Sequence, residues 1–364
     1  MTNSGQVFRA IHRTLNKVCH SSTSKRQNNA LNLLTGFVCG IIQSKQVKLA
    51  HVAGEIPNQG AEESKVKSLQ RWLKNKRVKA EVYYLPFINQ LLKGLSSQPL
   101  TLAIDGSTTA RGCMTLMISL IYKSRALPLV WVTRKAKKGH LPETMHVELL
   151  KTVKAVIAEG TEVVIVGDGE FDGIEWLSEI ESYGWNFACR TAKNSVLYEA
   201  GERFVFKHIS PEKGKMVEIA AVEFTDKRAL EVRAVVYWGR KYEDPIYLVT
   251  NMPTGEEAFH YYRKRFRIET LFSDLKGRGF NLNKSGLIHP ERVSRLLIAV
   301  SLAYIWLIYL GEQVKERGWL PLIHRAERCD FSLFQLGIRL LKRLLREGKR
   351  LTSFNFTIIN NVLH

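Results

Sequence analysis

Residues 262–276, YRKRFRIETLFSDLK, are the stretch around which the rest of the sequence is arranged. The run contains neither proline nor glycine, so we predict that it lies in one helix. Tyr262, Arg265, Glu269 and Lys276 then fall within roughly 60° of one another on one face, because an α-helix turns by about 100° per residue. A phenol, a guanidinium, a carboxylate and an ammonium aligned in this way suit a metal-assisted phosphate site. A solvated basic helix would align the same charges, and spacing alone does not separate the two interpretations.

A second stripe of the same predicted helix is apolar: Phe266, Leu271, Phe272 and Leu275. We predict that this stripe packs on a core and that the polar stripe lies beside it. A carboxylate on a packed helix, such as that of Glu269, needs polar partners from elsewhere in the chain.

The composition is that of a large, basic chain. It has 364 residues, of which 45% are hydrophobic, which is enough for two or three domains with apolar cores. Its 54 Lys and Arg residues outnumber 34 Asp and Glu residues, giving a net charge of +20. Such an excess favours a polyanionic partner, because each neutralised phosphate releases counterions. A ribosomal protein or a merely soluble basic protein would have a similar composition.

Five cysteines are scattered through the chain without a CxxC pair: Cys19, Cys39, Cys113, Cys189 and Cys329. Their odd number and spacing argue against a disulfide framework and against a zinc finger. The start of the sequence lacks the apolar run of a signal peptide. The longest apolar run, residues 296–310, is shorter than the ~20 residues of a membrane span, so we predict a buried helix there. We therefore expect a protein of the reducing cytoplasm without a membrane partner.

Residues 1–95 have helical patterning and 15 Lys and Arg residues against four acidic ones, a net charge of +11. In the helix predicted at 62–74, Lys67, Arg71 and Lys74 share the side opposite the apolar residues. Two short helices, the second basic on its free face, resemble a helix-turn-helix that reads the major groove of DNA. A basic helical bundle without sequence preference fits this piece equally well.

The pattern changes to strands after residue 95. We predict strands at 100–104, 113–122, 127–133, 163–166 and 186–190, and helices at 143–158 and 174–183. The first three strands would form a meander, and the helices would be crossovers that add parallel strands, giving a mixed α/β sheet. Residues 195–250 alternate in hydrophobicity between turn residues, which predicts an antiparallel β insertion. Residues 291–364 have helical patterning.

Asp105 and Asp168 each follow an apolar run that we predict to be a strand. In open α/β sheets, ligands collect at the carboxyl ends of the strands, so the two carboxylates would share a crevice if their strands are neighbours. With Glu269 beside them, three oxygen donors would suit Mg²⁺ or Mn²⁺. An isolated aspartate at a strand end is more often a helix cap or turn former. Glu170 and Asp172 compete locally with Asp168, but only the residue at the strand terminus is held rigidly.

The four motif residues match a known spacing, Y-(2)-R-(3)-E-(6)-K. In this respect the sequence resembles the bacterial insertion-sequence transposases of the DDE type, with Asp105 in LAIDGST and Asp168 in VIVGDGEFDG as the first two acids. The resemblance implies a ribonuclease-H-like (retroviral-integrase-like) mixed sheet core and a bacterial, nucleoid-associated protein. It also implies a domain division, which is as follows: a helical DNA-end-binding domain at 1–95, the core at 96–194 and 251–290, the β insertion at 195–250, and a helical C-terminal region at 291–364.

The chemistry that the resemblance implies is metal-dependent nicking at transposon ends, hairpin formation and opening, and strand transfer into target DNA by a homodimer in a paired-end complex. By position, three residues would bind two Mg²⁺ or Mn²⁺ ions: Asp105, Asp168 and Glu269. Three others would hold phosphates beside the scissile bond: Tyr262, Arg265 and Lys276.

A hairpin requires a base to leave the stack, and enzymes usually receive such a base on an aromatic face. Trp238 in the predicted insertion is our candidate for that role, although a core tryptophan fits its context as well. Arg190 and Lys193, at and just beyond the last strand of the core, are candidates for contacts with the DNA backbone. A solvated surface fits these two residues equally well.

The joint occurrence of three separated acids, an aligned phosphate-binding face and a high positive charge favours a cut-and-paste DNA transposase. One alternative is a ribonuclease-H-like nuclease that cuts without joining. A second alternative, of another class, is a transposase-derived DNA-binding protein without catalysis. The intact acids and motif argue against that second alternative, because a binding module has no need for three unpaired acids near phosphate.

Overall fold

The computed structural model describes residues 3–19, 24–95, 98–136, 141–228, 230–325 and 328–356. Before residue 95, the described residues form helices: α1 (Asn3–Val18), α2 (Lys25–Ser44), α3 (Leu49–Gly54), α4 (Glu62–Lys74), α5 (Ala80–Tyr83) and α6 (Leu85–Lys93). α2 begins at a capping box, in which the Ser24 and Gln27 side chains each accept from the other residue's backbone N–H. Ser96 and Ser97, at the predicted first boundary, lie outside the described residues, and the domain boundaries stay predictions.

Ten strands of the described residues form one sheet: β1 (Leu100–Ala110), β2 (Cys113–Tyr122), β3 (Arg125–Lys135), β4 (Val163–Gly167), β5 (Asn186–Arg190), β6 (Val196–Glu199), β7 (Glu202–Val205), β8 (Met216–Phe224), β9 (Leu230–Tyr237) and β10 (Ile246–Thr250). Their order is β3-β2-β1-β4-β5-β10-β9-β8-β6-β7. β1, β2 and β3 form the predicted antiparallel meander. The helices α7 (Glu143–Lys154) and α8 (Ile174–Ser182) lead to β4 and β5, which join β1 in parallel. The predicted mixed α/β sheet is confirmed.

The strands between residues 195 and 250 pair antiparallel with one another. β10 then pairs with β5, also antiparallel, so these strands extend the sheet of β1–β5. Strands of this part such as β8 are partly exposed, whereas β2 and β4 are buried at every position. β2 and β4 read as continuous apolar runs because both of their faces are covered.

The stretch at 262–276 is not one helix, so that prediction was wrong. α9 (Gly255–Tyr262) and α10 (Arg267–Leu275) are separated by a turn at residues 263–266. In this turn the backbone N–H groups of Lys264 and Arg265 donate three residues back, to Tyr261 and Tyr262, rather than four. Since neither Pro nor Gly marks the break, the sequence gives no signal for it. The turn interrupts the helix between Tyr262 and Glu269. The rotation of about 100° per residue therefore does not give the relative positions of the motif residues.

The C-terminal part contains α11 (Pro290–Glu316), α12 (Leu320–Ile323) and α13 (Leu333–Arg346). α11 is long and apolar enough to cross a membrane, but 89% of its most apolar window is buried inside the protein. The prediction of a buried helix at 296–310 is therefore confirmed. α11 packs against α13, α2 and β3, which places it at the centre of the chain.

Glycine is required where α11 and α13 cross. A Cβ atom built on Gly337 would overlap the Leu307 carbonyl oxygen, and one on Gly311 would overlap that of Leu333. Gly337→Ala is therefore expected to lower the free energy of unfolding by about 1–3 kcal/mol in urea titrations. The free-energy cost of forcing a methyl group against packed backbone exceeds the gain in helix propensity. Gly60→Ala, where the nearest atom is 3.7 Å away, is the matched control and should be near neutral. Equal stabilities of the two variants would contradict this packing.

Candidate active site

Neighbouring strands place two of the predicted acids side by side. β1 and β4 are parallel neighbours, with Ala103 opposite Val166, so continuation of the register brings Asp105 beside Asp168. The condition under which the two carboxylates would share a crevice, that their strands are neighbours, is therefore met. The prediction that Asp105 ends its strand was wrong: β1 continues to Ala110, because β2 pairs with it along its whole length. Asp105 is therefore held inside a strand, while Asp168 follows the last residue of β4.

The helix α10 brings the third acid to this edge, and an arginine links it to the second. Arg265 Nη2 donates to Glu269 Oε1 at 2.6 Å, and Arg265 Nη1 lies 3.9 Å from Asp168 Oδ2. The guanidinium is largely buried, with 15% of its side chain exposed. A half-buried ion pair of this kind is stronger than one in water, because the surrounding dielectric is lower.

The last residue of the motif contacts the strand that carries the first acid. Lys276 Nζ donates to Ser107 Oγ, and Ser107 lies on the same strand face as Asp105, two residues away. Lys276 stands just past the end of α10, where it caps the helix. A cleft of about 370 Å³ is lined by two of the acids, Asp105 and Glu269. Ser107, Lys276 and Arg278 also line it. It therefore brings two carboxylates and two cations to one opening.

These side chains form one electrostatic unit. Burial, and then the negative charge of Asp168, raise the pKa of Asp105 to about 7, although Arg265 and the backbone N–H of Gly106 act against the rise. Burial lowers the pKa of Lys276, and the charge of Asp105 partly offsets that effect. The part of this rise that comes from Asp168 and Glu269 is due to negative charges that a bound cation would neutralise.

Tyr262 belongs to the same unit. It is buried, and burial raises the pKa of its hydroxyl, whereas the positive charges of Arg265 and Arg190 act in the opposite direction. Arg190, at the end of β5, is exposed and near enough to influence this phenol. The site thus includes Tyr262 of the motif. It also includes Arg190, one of the two residues predicted to contact the DNA backbone.

The donor set matches a hard divalent ion, since it offers carboxylate oxygens from two strands and one helix. As the side chains stand, however, no three acidic, histidine or cysteine side chains within the described ranges converge closely enough to hold a metal ion. Arg265 instead bridges Asp168 and Glu269. The chemistry of the donors fits Mg²⁺ or Mn²⁺, while the guanidinium occupies the space between the second and third carboxylates.

Comparison with known proteins identifies the family. The family described as "Transposase DDE domain" matches residues 96–306, which include all three acids and the whole motif. The chain belongs to this family. No curated protein matches the chain. Among solved structures, it is similar to a piggyBac transposase in a synaptic complex with hairpin DNA, at 12% identity and a TM-score of 0.46, covering 98% of this chain and 82% of that one.

Other predicted residues of this DDE transposase have different surroundings. Glu170 accepts from the backbone of Leu141, and Asp172 accepts from Thr191 Oγ1, so both rivals of Asp168 have other partners. Lys193 is exposed in the loop after β5, and no described contact joins it to the acids. The helix α4 presents three exposed cations, apart from the cleft: Lys67, Arg71 and Lys74.

Trp238 lies in the connection between β9 and β10. Its Nε1 donates to the Tyr242 carbonyl oxygen at 3.2 Å, and Lys213 Nζ lies 5.2 Å from its ring centroid. The ring is half-buried among its own neighbours, and no described contact links it to the three acids.

Sequence reasoning missed Phe266 as a functional candidate. We predicted it to be a core residue, which was wrong, since 60% of it is exposed. The turn at 263–266 directs it outward, directly after Arg265 and between other cations. An exposed aromatic ring inside a basic turn is a surface suited to nucleic-acid bases. Only the break between α9 and α10 identifies it, because helical spacing puts it in the apolar stripe.

Proposed function

We propose that the chain is a divalent-metal-dependent DNA transposase of the cut-and-paste type. It would cleave DNA at transposon terminal repeats and join the ends to target DNA by in-line phosphoryl transfer, through a hairpin intermediate. The observation that supports this most strongly is the position of Asp105 beside Asp168, with Glu269 linked to Asp168 through Arg265, in a member of the DDE transposase family. A bacterial insertion-sequence origin, a ribonuclease-H-like core and a nucleoid-associated homodimer in a paired-end complex belong to the same proposal.

The three carboxylates would hold two Mg²⁺ or Mn²⁺ ions, which when bound activate a water or a 3′-hydroxyl and stabilise the leaving oxygen. Lys276 and Arg265 would bind phosphate oxygens beside the scissile bond, as charge-assisted donors. Tyr262, buried against Arg265, would fix the guanidinium and donate a hydrogen bond from its hydroxyl to a phosphate oxygen.

Arg265 has a further part in this proposal. Without DNA it neutralises Asp168 and Glu269, which would otherwise repel each other. An incoming phosphate offers the guanidinium two oxygens in the same fork geometry, so the arginine exchanges carboxylates for phosphate. The carboxylates are then free to converge on cations, and DNA binding assembles the site.

The experiment that tests the function uses a labelled duplex carrying the inverted repeats that flank the coding region. With Mg²⁺, the protein is expected to nick the repeat end and then to yield hairpin and joined products on a supercoiled target. Nicks without joined products would instead support a nuclease that does not transfer strands. Binding without cleavage at any Mg²⁺ or Mn²⁺ concentration would overturn the enzymatic proposal.

Phe266 is the aromatic residue that we propose to receive a base during hairpin formation. Phe266→Ala is expected to lower the hairpin yield by about 10–100-fold and to leave first-strand nicking nearly unchanged, because base–aromatic stacking is worth about 1–3 kcal/mol. Denaturing gels of end-labelled DNA separate the two products. The matched control is Trp238→Ala, which alters the half-buried tryptophan. Loss of hairpins in the tryptophan variant alone would assign the role to Trp238 instead.

A further inference from the structure

A second cavity lies where the helical N-terminal part meets the chain that follows α10. Its volume is about 510 Å³, and it is formed by the start of α3, the end of α4, the loop at 284–287 and the start of α11. Four cations line it, one from each of these elements: Lys48, Lys74, Lys284 and Arg292. None of its lining residues is acidic. The cavity is therefore a positive concavity distinct from the cleft at Asp105 and Glu269.

These four cations have no carboxylate partners among the described residues. Two partly buried cations elsewhere in the fold are paired with acids: Lys123 with Glu312 and Arg125 with Asp274. Within the part of the chain that the structure describes, none of the four around this cavity forms an ion pair. Positive charges gathered around one concavity make its electrostatic potential more positive and attract an anion. The apolar parts of the wall strengthen that attraction, because they lower the local dielectric constant.

The cavity is built on fixed elements. Arg295 of α11 donates to the carbonyl oxygens of Leu73 at 2.8 Å and Val78 at 3.3 Å, which fixes α11 to the end of α4. On the other side, the 3-10 turn Leu282–Lys284 packs on β1, the strand that carries Asp105. The backbone N–H of Asn281 also donates to the carbonyl oxygen of Lys276 at 2.8 Å. The cavity therefore keeps a defined position relative to the candidate active site.

We propose that this cavity binds backbone phosphates of the same duplex DNA whose scissile phosphate enters the active site. The inference rests on the proposed function for its ligand. Its volume is in the range of sites for drug-sized ligands rather than for single ions, which favours a stretch of backbone over free phosphate. Three lysines serve as point charges and Arg292 as a two-pronged donor, while Gln70 and Ser285 add neutral polar groups at the wall. None of these groups reads a base, so the contact positions the duplex without specifying its sequence.

The test compares duplex binding by the full chain and by K48Q/K284Q across a series of salt concentrations. Fluorescence anisotropy with a fluorescein-labelled duplex of several helical turns gives log Kd against log salt. The magnitude of this slope is expected to be smaller by about 2 in the double variant, because each lost phosphate contact removes about 0.9 from it. Binding is also expected to weaken uniformly across DNA sequences. The conservative variant K48R/K284R is expected to keep the wild-type slope. The matched control is K25Q/K315Q, which removes two exposed lysines that do not line the cavity.

An unchanged slope in K48Q/K284Q, or a loss no larger than in K25Q/K315Q, would overturn the inference. A loss of affinity for an RNA duplex but not for the DNA duplex would also overturn it. Binding needs no cleavage, so the outcomes separate the two proposals. A wild-type protein that cleaves while K48Q/K284Q binds normally leaves the proposed function and removes the cavity's role. If K48Q/K284Q has a reduced slope but the wild-type protein never cleaves DNA, the role of the cavity stands and the proposed function is removed.

Discussion

Replacement of Glu269 by glutamine is expected to abolish nicking at transposon ends while the protein still binds those ends. Glutamine keeps the shape of the side chain but removes the negative charge that α10 brings to Asp105 and Asp168. The metal site is proposed to stabilise the charge of the transition state by several kcal/mol. Loss of one metal ligand is therefore expected to slow cleavage by about 10³-fold or more. The rate is measured by single-turnover nicking of labelled end DNA in saturating Mg²⁺.

Glu269→Gln also separates a catalytic from a structural role. Arg265 retains its contact with Asp168 in the variant, so the melting temperature is expected to stay near that of the wild type. DNA affinity is expected to hold or rise, because a negative charge beside the phosphate site is gone. The matched control is Glu257→Gln, an exposed acid in the first turn of α9, which is expected to leave all three measurements unchanged. Wild-type nicking by Glu269→Gln would remove Glu269 from the active site.

The second large effect concerns Asp105 and pH. Its pKa rises from the ordinary value of 3.8 to about 7, chiefly through burial and then through the charge of Asp168. The folded state therefore favours the protonated form more than the unfolded state does. The resulting stability is fully present below about pH 4 and is lost as the pH rises to about 7, at up to about 1.4 kcal/mol per pH unit for one proton. Other carboxylates titrate at the acidic end, so the comparison must be made between variants.

Asp105→Asn provides that comparison. Chelator-treated wild type and Asp105→Asn are unfolded in urea at several pH values from 5 to 8, which span the upper part of the predicted window. The difference in stability is expected to grow in favour of the variant as the pH rises, because asparagine carries no charge to be buried beside Asp168. Asp105→Asn is at the same time expected to lose cleavage by about 10³-fold, as a lost metal ligand should. A stability difference that does not change with pH would contradict the burial and coupling of this carboxyl group.

Stability and activity are thus expected to change in opposite directions at Asp105. A purely structural aspartate, paired and hydrogen-bonded, would instead lose stability when neutralised. This opposition is typical of functional sites, where like charges are held together at a cost to the fold.

The local parts of this architecture could be read from the sequence. The bounds of β2 and β5 agree with the prediction, and β4 differs by one residue, because each is a continuous apolar run between turn residues. The adjacency of β1 and β4 stayed a condition in the sequence analysis, because the local pattern predicts a parallel addition without giving its neighbour. The family was recognisable from the motif spacing together with the two aspartates, since spacing is a property of the sequence itself.

Tertiary contacts decided what local pattern could not. The strand β1 runs past Asp105 because β2 offers a partner along its full length, and a partner strand is invisible to a single apolar run. The break between α9 and α10 has no proline or glycine to mark it, so Phe266 moved from a predicted core position to an exposed one. The bridge from Arg265 to Asp168 joins residues 97 positions apart in the sequence and depends on how α9 packs against β4 and α10 against β1.

The sequence by itself therefore determined which side chains are present and in which local elements they lie, because hydrophobic period and turn chemistry act over a few residues. Only the tertiary structure decided which charges meet. Four cations, at the N-cap of α3, in α4, in the loop at 284–287 and in α11, surround one cavity without an ion pair among the described residues, although their positions in the sequence do not indicate it. The physical reason is that burial and electrostatic interaction depend on distances in space, which packing between distant segments sets.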